Sequence, residues 1–536
     1  MDTVRLHASR RSTSSLGVAF VVAAVLLAVG MATGCGSGGS MTKVPPPANT
    51  NVTVMVSSTA NDLLPEFDVN FQGISLTGQS GNTVQLLSPG MGEAAEFTHI
   101  NGLVEPLVTA SIPQDVYTSA TLAPGGFSGF VCIALGPVDG QETLATDSFD
   151  NVVQTSAVTV TLPSPITVTG ASMGLSLNLQ VSQSATVGDC LTPDGFEGFS
   201  VNPAFTLTAL NLSSSPTNSA NGKVVALDGQ ITAIGTGDSF TISIPDVAGA
   251  RPLSVNSGST TVYQGISNFS ALAVETFVDL DGAIQSDGSL GATRIAVEDS
   301  SAGDVFRGPV IEVVPSVGVL SMHGHQWQGQ DVLGLAEGSM NLDFSGSIFQ
   351  ISDQLTNLGG LPFVPSFSAA NMVPGQEVYA SFSSSTFVSP RPPATTMTLM
   401  PQTIDGTVTA SSQSGNFTDY TVTLAPYDLF PMLAVQPEQT NVENNPSQVE
   451  VYVDNHTQML NTQGLAPGST LRFYGLVFND NGTLRMDCAQ VNDGVAFVPP
   501  QSNSGTQAQV GQPQTIRRIG PAGLPQTITT VTHSNN

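Results

Sequence analysis

Two histidines one residue apart, His323-Gly324-His325, stand beside the only tryptophan of the sequence, Trp327. Two imidazoles are enough to begin a transition-metal site, and a lone indole among polar groups suits stacking on a sugar ring. The nearest carboxylates, Asp331 and Glu337, are few. The segment 322–330 is therefore expected as an exposed loop with a packing tryptophan. His323, His325 and Trp327 are its candidates if it meets a ligand. No metal or cofactor is assigned to it.

Other constellations are weaker. Gly170-Ala171-Ser172-Met173-Gly174 fits the spacing of a nucleophile elbow, but such an elbow joins a strand to a helix. An alternating strand, Leu175 to Val181, follows instead, so chance in a Gly- and Ser-rich chain explains the match. Asp279-Leu280-Asp281-Gly282 and Asn479-Asp480-Asn481-Gly482 suggest calcium loops, yet neither continues with the spaced oxygens and closing Glu that calcium needs. Hairpin turns are the expectation for both. There is no Gly loop followed by Lys for phosphate, no dinucleotide fingerprint and no paired-Cys zinc pattern. No catalytic residue is assigned, and the chain is expected not to be an enzyme.

Charge narrows the partners. Thirteen Lys and Arg face 41 Asp and Glu, for a net charge of −28. Nucleic acid is an unlike partner, because phosphate binding needs clustered cations. A direct pull toward an anionic membrane surface is excluded on the same ground. Hydrophobic residues make up 40% of the chain, enough to fill real cores, while 54 Gly and 35 Pro favour strands and turns over helices.

The N-terminus reads as an export signal. Arg5, Arg10 and Arg11 precede an apolar run from Leu16 to Ala32, then Thr33, Gly34 and Cys35. This end resembles the lipobox of bacterial lipoproteins, with Ala32 where Leu is usual. The resemblance implies cleavage after residue 34 and a lipid on Cys35, which would tie the protein to the membrane. Residues 35–50 then form a tether rich in Gly, Ser and Pro. Gly36, rather than Asp, leans toward the outer membrane or its periplasmic face. An oxidising compartment would permit a disulfide between Cys132 and Cys190, leaving Cys488 over; alternatively Cys132, in an apolar run, is a small core residue.

The body reads as all-β. From 51 to 212, runs such as Val52–Val56, Val69–Leu76, Val158–Leu162 and Leu175–Val181 alternate with period two between turn signals, as in a β-sandwich. This part resembles an uncharacterised N-terminal domain of bacterial lipoproteins. The likeness rests on Gly73-Ile74-Ser75-Leu76, on Ile112–Tyr117 and on Val160–Val168. It implies a transthyretin-like sandwich and no known activity.

After a linker at 213–220 comes an internal repeat. Leu272–Gly282 then Asp287–Leu290, Met372–Phe382, and Leu465–Gly475 then Asn481–Leu484 share one pattern. Each copy opens on a glycine: Gly222, Gly308 and Gly406. Three small barrels are expected at 221–300, 305–403 and 404–495, the middle one divergent with an insertion around 322–345. The first and third resemble a family of small uncharacterised OB-like barrels, through Gly222, Val224, Phe240, Thr260, Leu272, Val278, Gly282 and Gly288, with Glu275 where the family has Gly. A disordered polar tail is expected at 499–536.

Together these features describe an exported, lipid-anchored envelope protein with a non-catalytic binding or structural role. A carbohydrate-binding surface lipoprotein is the first alternative, and an enzyme with an unrecognised site the second.

Overall fold

Alternating apolar residues and frequent turns leave little room for helix, and the chain folds as strands. The computed structural model describes residues 48–492, except 60–63, 65, 91, 101, 135–145, 153–156, 188–198, 214, 245–250, 330–337, 356–357, 384–390, 426–428, 435–446, 461 and 463–464, and also 517–519 and 525–527. The described strands belong to one compact unit, Pro47–Asn536.

The first thirteen strands are β1 (Asn49–Thr59), β2 (Glu66–Gly78), β3 (Thr83–Leu87), β4 (Glu93–Glu96), β5 (Glu105–Pro113), β6 (Val116–Ala134), β7 (Thr146–Val152), β8 (Val158–Val160), β9 (Ile166–Thr167), β10 (Ser172–Gln180), β11 (Ala185–Val187), β12 (Phe199–Val201) and β13 (Phe205–Leu210). One sheet runs β13-β10-β1-β5, and a second runs β3-β2-β6-β7 with β4, β8 and β9 attached. A single apolar core fills the space between them, with Val54, Phe71, Phe97, Leu122, Leu177 and Phe205 buried in it. This is the expected sandwich, begun two residues early, because Asn49 and Thr50 already pair with β5.

The first barrel comprises β14 (Lys223–Ile234), β15 (Ser239–Ile244), β16 (Arg251–Asn256), β17 (Val262–Gln264), β18 (Phe277–Ile284) and β19 (Leu290–Ala296). Its path β16-β15-β14-β18-β19 closes on itself through a parallel β16–β19 pairing. The middle unit comprises β20 (Asp304–Val314), β21 (Val319–Gly324), β22 (Gln326–Gly329), β23 (Gly338–Asp343), β24 (Ile348–Ile351), β25 (Glu377–Phe382) and β26 (Thr396–Leu399). The last barrel comprises β27 (Gln402–Ser414), β28 (Phe417–Leu424), β29 (Gln448–Val453), β30 (Gln458–Leu460), β31 (Thr470–Asp480) and β32 (Thr483–Asn492), and closes like the first through β29–β32. Strand β31 serves two cores: Leu476 and Phe478 enter the middle one, Phe473 and Val477 the last.

The three copies share a backbone device. In each, an amide donates to the opening strand across a left-handed residue: Glu275 to Ile231, Gly375 to Val310 and Gly468 to Val408, at 2.7–2.8 Å. Their φ angles are +71°, +90° and +95°. That geometry is why the family pattern has Gly there. It also corrects the register. Gly308 and Gly406 correspond to Gly229, not Gly222, because Gly229, Gly308 and Gly406 pair with Val278, Val378 and Leu471. Gly222 instead closes a short turn ahead of the barrel, with φ +91°. The motif G-x-V occurs at 222–224, and the true opening, Gly229-Gln230-Ile231, hides it behind an isoleucine.

Two further expectations change. The tail carries a short hairpin, β33 (Arg517–Ile519) with β34 (Pro525–Thr527), where no regular structure was expected. Asp279 and Asp281 lie within strand β18 rather than in a hairpin turn, held there by pairing with β19 and by Arg294. The hairpin falls later, at Asp287-Gly288. The second acidic run is a turn: Asn481 and Gly482 have φ +51° and +89° between β31 and β32, and Asn479 accepts from the Gly482 amide.

Candidate functional site

The segment expected as an exposed loop is instead buried strand. His323 is the penultimate residue of β21, and Gln326, Trp327 and Gln328 lie in β22, a strand without a counterpart among the described residues of the first and last barrels. Both strands pair with the same side of β20: β21 with its C-terminal half, β22 with Asp304–Arg307. The crossing between them is tight. A Cβ on Gly308 would collide with the His323 carbonyl, and one on Gly324 would enter the Phe306 ring. Burial of both histidines follows, with His323 0% and His325 5% exposed. Trp327 is half-buried against the middle core.

Strand alternation and the bend at His325 send the two imidazoles to different partners. His323 Nε2 lies 2.9 Å from Glu66 on β2. His325 reaches the turn after β4, where its ring stacks on that of His99, 5.7 Å between centroids and 6° between planes. Glu96 organises that turn. Its Oε1 accepts from the Phe67 and Thr98 amides at 2.9 and 2.7 Å, and its Oε2 from the His99 amide at 2.8 Å. His99 Nδ1 stands 2.7 Å from the same Oε2, and His99 Nε2 stands 2.6 Å from Glu105.

Charge continues outward from this pair in both directions. Arg251, on β16 of the first barrel, binds Glu105 at 3.0 Å and the Pro106 carbonyl. His325 Nε2 binds Glu377 at 2.8 Å, Glu377 accepts from Arg307 at 3.1 Å, and Arg307 grips Asp228 of the first barrel. The path thus leaves the first barrel at Asp228, crosses the middle unit and the sandwich, and returns to the first barrel at Arg251. Every side chain along it is buried. Burial would strip His99 of its proton, but Glu105 and Glu96 outweigh it and raise the ring to about 10. Glu96 is also buried, yet His99 and His325 bring it down to about 2. In this low-dielectric junction each partner fixes the ionisation of the next.

Among the described residues, Glu96, His99 and His325 each offer a ligand atom, and these atoms lie within 4.8 Å of one another. The arrangement can hold a cation or a chain of protons. A nucleophile elbow is not built: Ser172 opens β10, which pairs in parallel with β1, and the one helical turn that follows, Val181–Ser184, begins only after the whole strand. An open cleft of about 270 Å³ lies between β5 and the first barrel, lined in part by Thr109, Arg251, Ser254 and Asp287, without an aromatic side chain.

Cys35 and Cys190 lie outside the described residues, and of Cys132 only the backbone is described, in β6 opposite Ser148. The lipid site and the disulfide therefore stay as expectations. Sequence reasoning found His325 but missed Glu96, His99, Glu105, Arg251, Arg307 and Glu377. One signal was present. Arg251, Arg294, Arg307 and Arg472 sit within runs of strand pattern in a chain with few cations, and all four are buried.

Residues 228–296, the first barrel from Asp228 to its last strand, match a family described as a domain of unknown function (DUF5666). No curated protein matches the chain.

Proposed function

We propose that this is an exported protein, lipid-anchored through Cys35 at the cell envelope, with a non-catalytic structural or binding role. The observation that carries the structural part is the buried path of ion pairs through Glu105, His99, His325, Glu377, Arg307 and Asp228. Paired charges that are taken out of water hold one geometry strictly, since a displaced partner leaves a bare charge in a low dielectric. Such a junction suits a stiff body that presents its surface at a distance from the membrane. The leader and the Gly- and Pro-rich tether of the sequence support the anchor.

The acidic charge balance of the chain speaks for a neutral or cationic partner rather than nucleic acid. A glycan is the second reading, motivated by Trp327, although that ring packs on the middle core. Radiolabelled lipid incorporation into the parent chain and into Cys35→Ser tests the anchor. Label in the membrane fraction for the parent and a soluble, unlabelled variant are expected. A parent chain recovered unlabelled with its leader intact would overturn the reading.

A further inference from the structure

The ion pairs of the junction leave His325 Nδ1 unexplained. His325 Nδ1 is buried and has no hydrogen-bond partner, and it faces Glu96 Oε2 at 4.0 Å. An unsatisfied imidazole nitrogen in such a place is costly. His99 Nδ1 faces the same oxygen at 2.7 Å. We propose that Glu96 Oε2, His99 Nδ1 and His325 Nδ1 together bind one divalent transition-metal ion of the zinc class, which fastens the sandwich to the middle unit.

Three features converge on this site. The ligand atoms lie within 4.8 Å of one another; a tetrahedral ion at ~2.0–2.2 Å from each would hold them about 3.4 Å apart, so on binding His325 moves in, the 2.7 Å contact of His99 with Glu96 opens and the parallel rings turn toward the ion. The far nitrogen of each imidazole is already held by a carboxylate, His99 Nε2 by Glu105 at 2.6 Å and His325 Nε2 by Glu377 at 2.8 Å. A carboxylate behind the ring is the usual support of a metal-bound histidine, because it fixes the tautomer and raises the basicity of the ligating nitrogen. Last, nitrogen donors select zinc-like ions over calcium or magnesium. Three protein ligands leave a fourth position for water, and the burial of Glu96 and His325 suits a cross-link.

The experiment uses the full chain, stripped with a chelator and titrated at neutral pH with Zn²⁺ and, as a spectroscopic probe, Co²⁺. One equivalent is expected to bind. The Co²⁺ complex is expected to show visible d–d bands without the near-ultraviolet thiolate band that a cysteine ligand would give. His325→Asn should weaken binding at least about 100-fold, and Glu377→Gln about 10- to 100-fold. His456→Asn should leave it unchanged, because His456 is an exposed residue distant in sequence, beside Asp454. No stoichiometric binding by the parent, a thiolate band, or equal binding by His325→Asn would each overturn the proposal. If His325→Asn does not fold, zinc-edge X-ray absorption of the parent decides. A shell of two imidazoles with oxygen supports the site, and any other shell refutes it.

Discussion

The rings of His99 and His325 lie parallel, 6° between planes, although one comes from a turn of the sandwich and the other from the bend that leads into β22 of the middle unit. This stacking makes the extra strand β22 more than an insertion. By pairing with β20 it carries His325 out of its own barrel and against Glu96 and His99. The neighbouring His323 makes a parallel connection to Glu66. The middle unit departs from the repeat at the place where the modules meet, so its divergence reads as adaptation to the junction.

Arg307 spans that junction by binding Glu377 in its own unit and Asp228 in the first barrel. Removing one partner of a buried pair leaves the other charge uncompensated, a cost of about 3–5 kcal/mol. Arg307→Met should therefore lower stability by that order in denaturant titrations. Arg307→Lys should recover only part, since an ammonium lacks the planar fork that serves two carboxylates. A variant with the parent's midpoint would show that the pairings are incidental.

Glu275 occupies a left-handed conformation that Gly375 and Gly468 fill in the other copies. A side chain there costs about 1–2 kcal/mol. Glu275 is exposed, and the Gln230 contact at that residue is to its backbone carbonyl. Glu275→Gly is thus expected to stabilise the protein by about 1 kcal/mol, and Gly468→Ala to destabilise it by a similar amount. Thermal unfolding of the two variants should move in opposite directions.

Local rules made much of this legible. Period-two runs located the sandwich strands, and the D-G and N-G signals located the hairpins at Gly288 and Gly482. The departure at Glu275 was visible as a missing glycine. Register was lost at Gly222, because two G-x-aliphatic motifs lie seven residues apart and only strand pairing separates them. The site was half legible. His323 and His325 stand out by spacing, but a polar segment with a tryptophan looks like a loop unless its partners are known. Those partners, Glu66, Glu96 and His99, lie more than two hundred residues away. No periodicity reports a contact between modules.

Cys488 sits inside the last barrel, 4% exposed, where burial and the neighbouring Asp487 push its thiol up. The thiolate is the reactive form. Its peptide should stay unmodified by iodoacetamide in the native protein at pH 8 and label fully in denaturant, as read by mass spectrometry. Rapid native labelling would mean that β32 opens readily.

Glu298 links the first barrel to the middle unit, and Gln350 donates to its carboxylate at 3.3 Å. Burial, then the charges of Asp279 and Asp353, raise it from 4.5 to about 8; Arg294 opposes them and Asp228 adds to them. In the unfolded chain the group ionises near its ordinary value. Between about pH 4.5 and 8 the native state therefore holds a proton that the unfolded state has lost, and stability must fall as pH rises across that window. Below it both states are protonated, and above it the penalty is complete. Glu298→Gln removes this dependence. Each unit of displacement is worth about 1.4 kcal/mol. Allowing for partial solvent access, the variant should gain on the order of 1–3 kcal/mol at pH 8 and nothing at pH 4. Denaturant midpoints measured across that range check the sign: a gain at pH 4, or a loss at pH 8, would contradict a carboxyl held protonated at the seam between the two units.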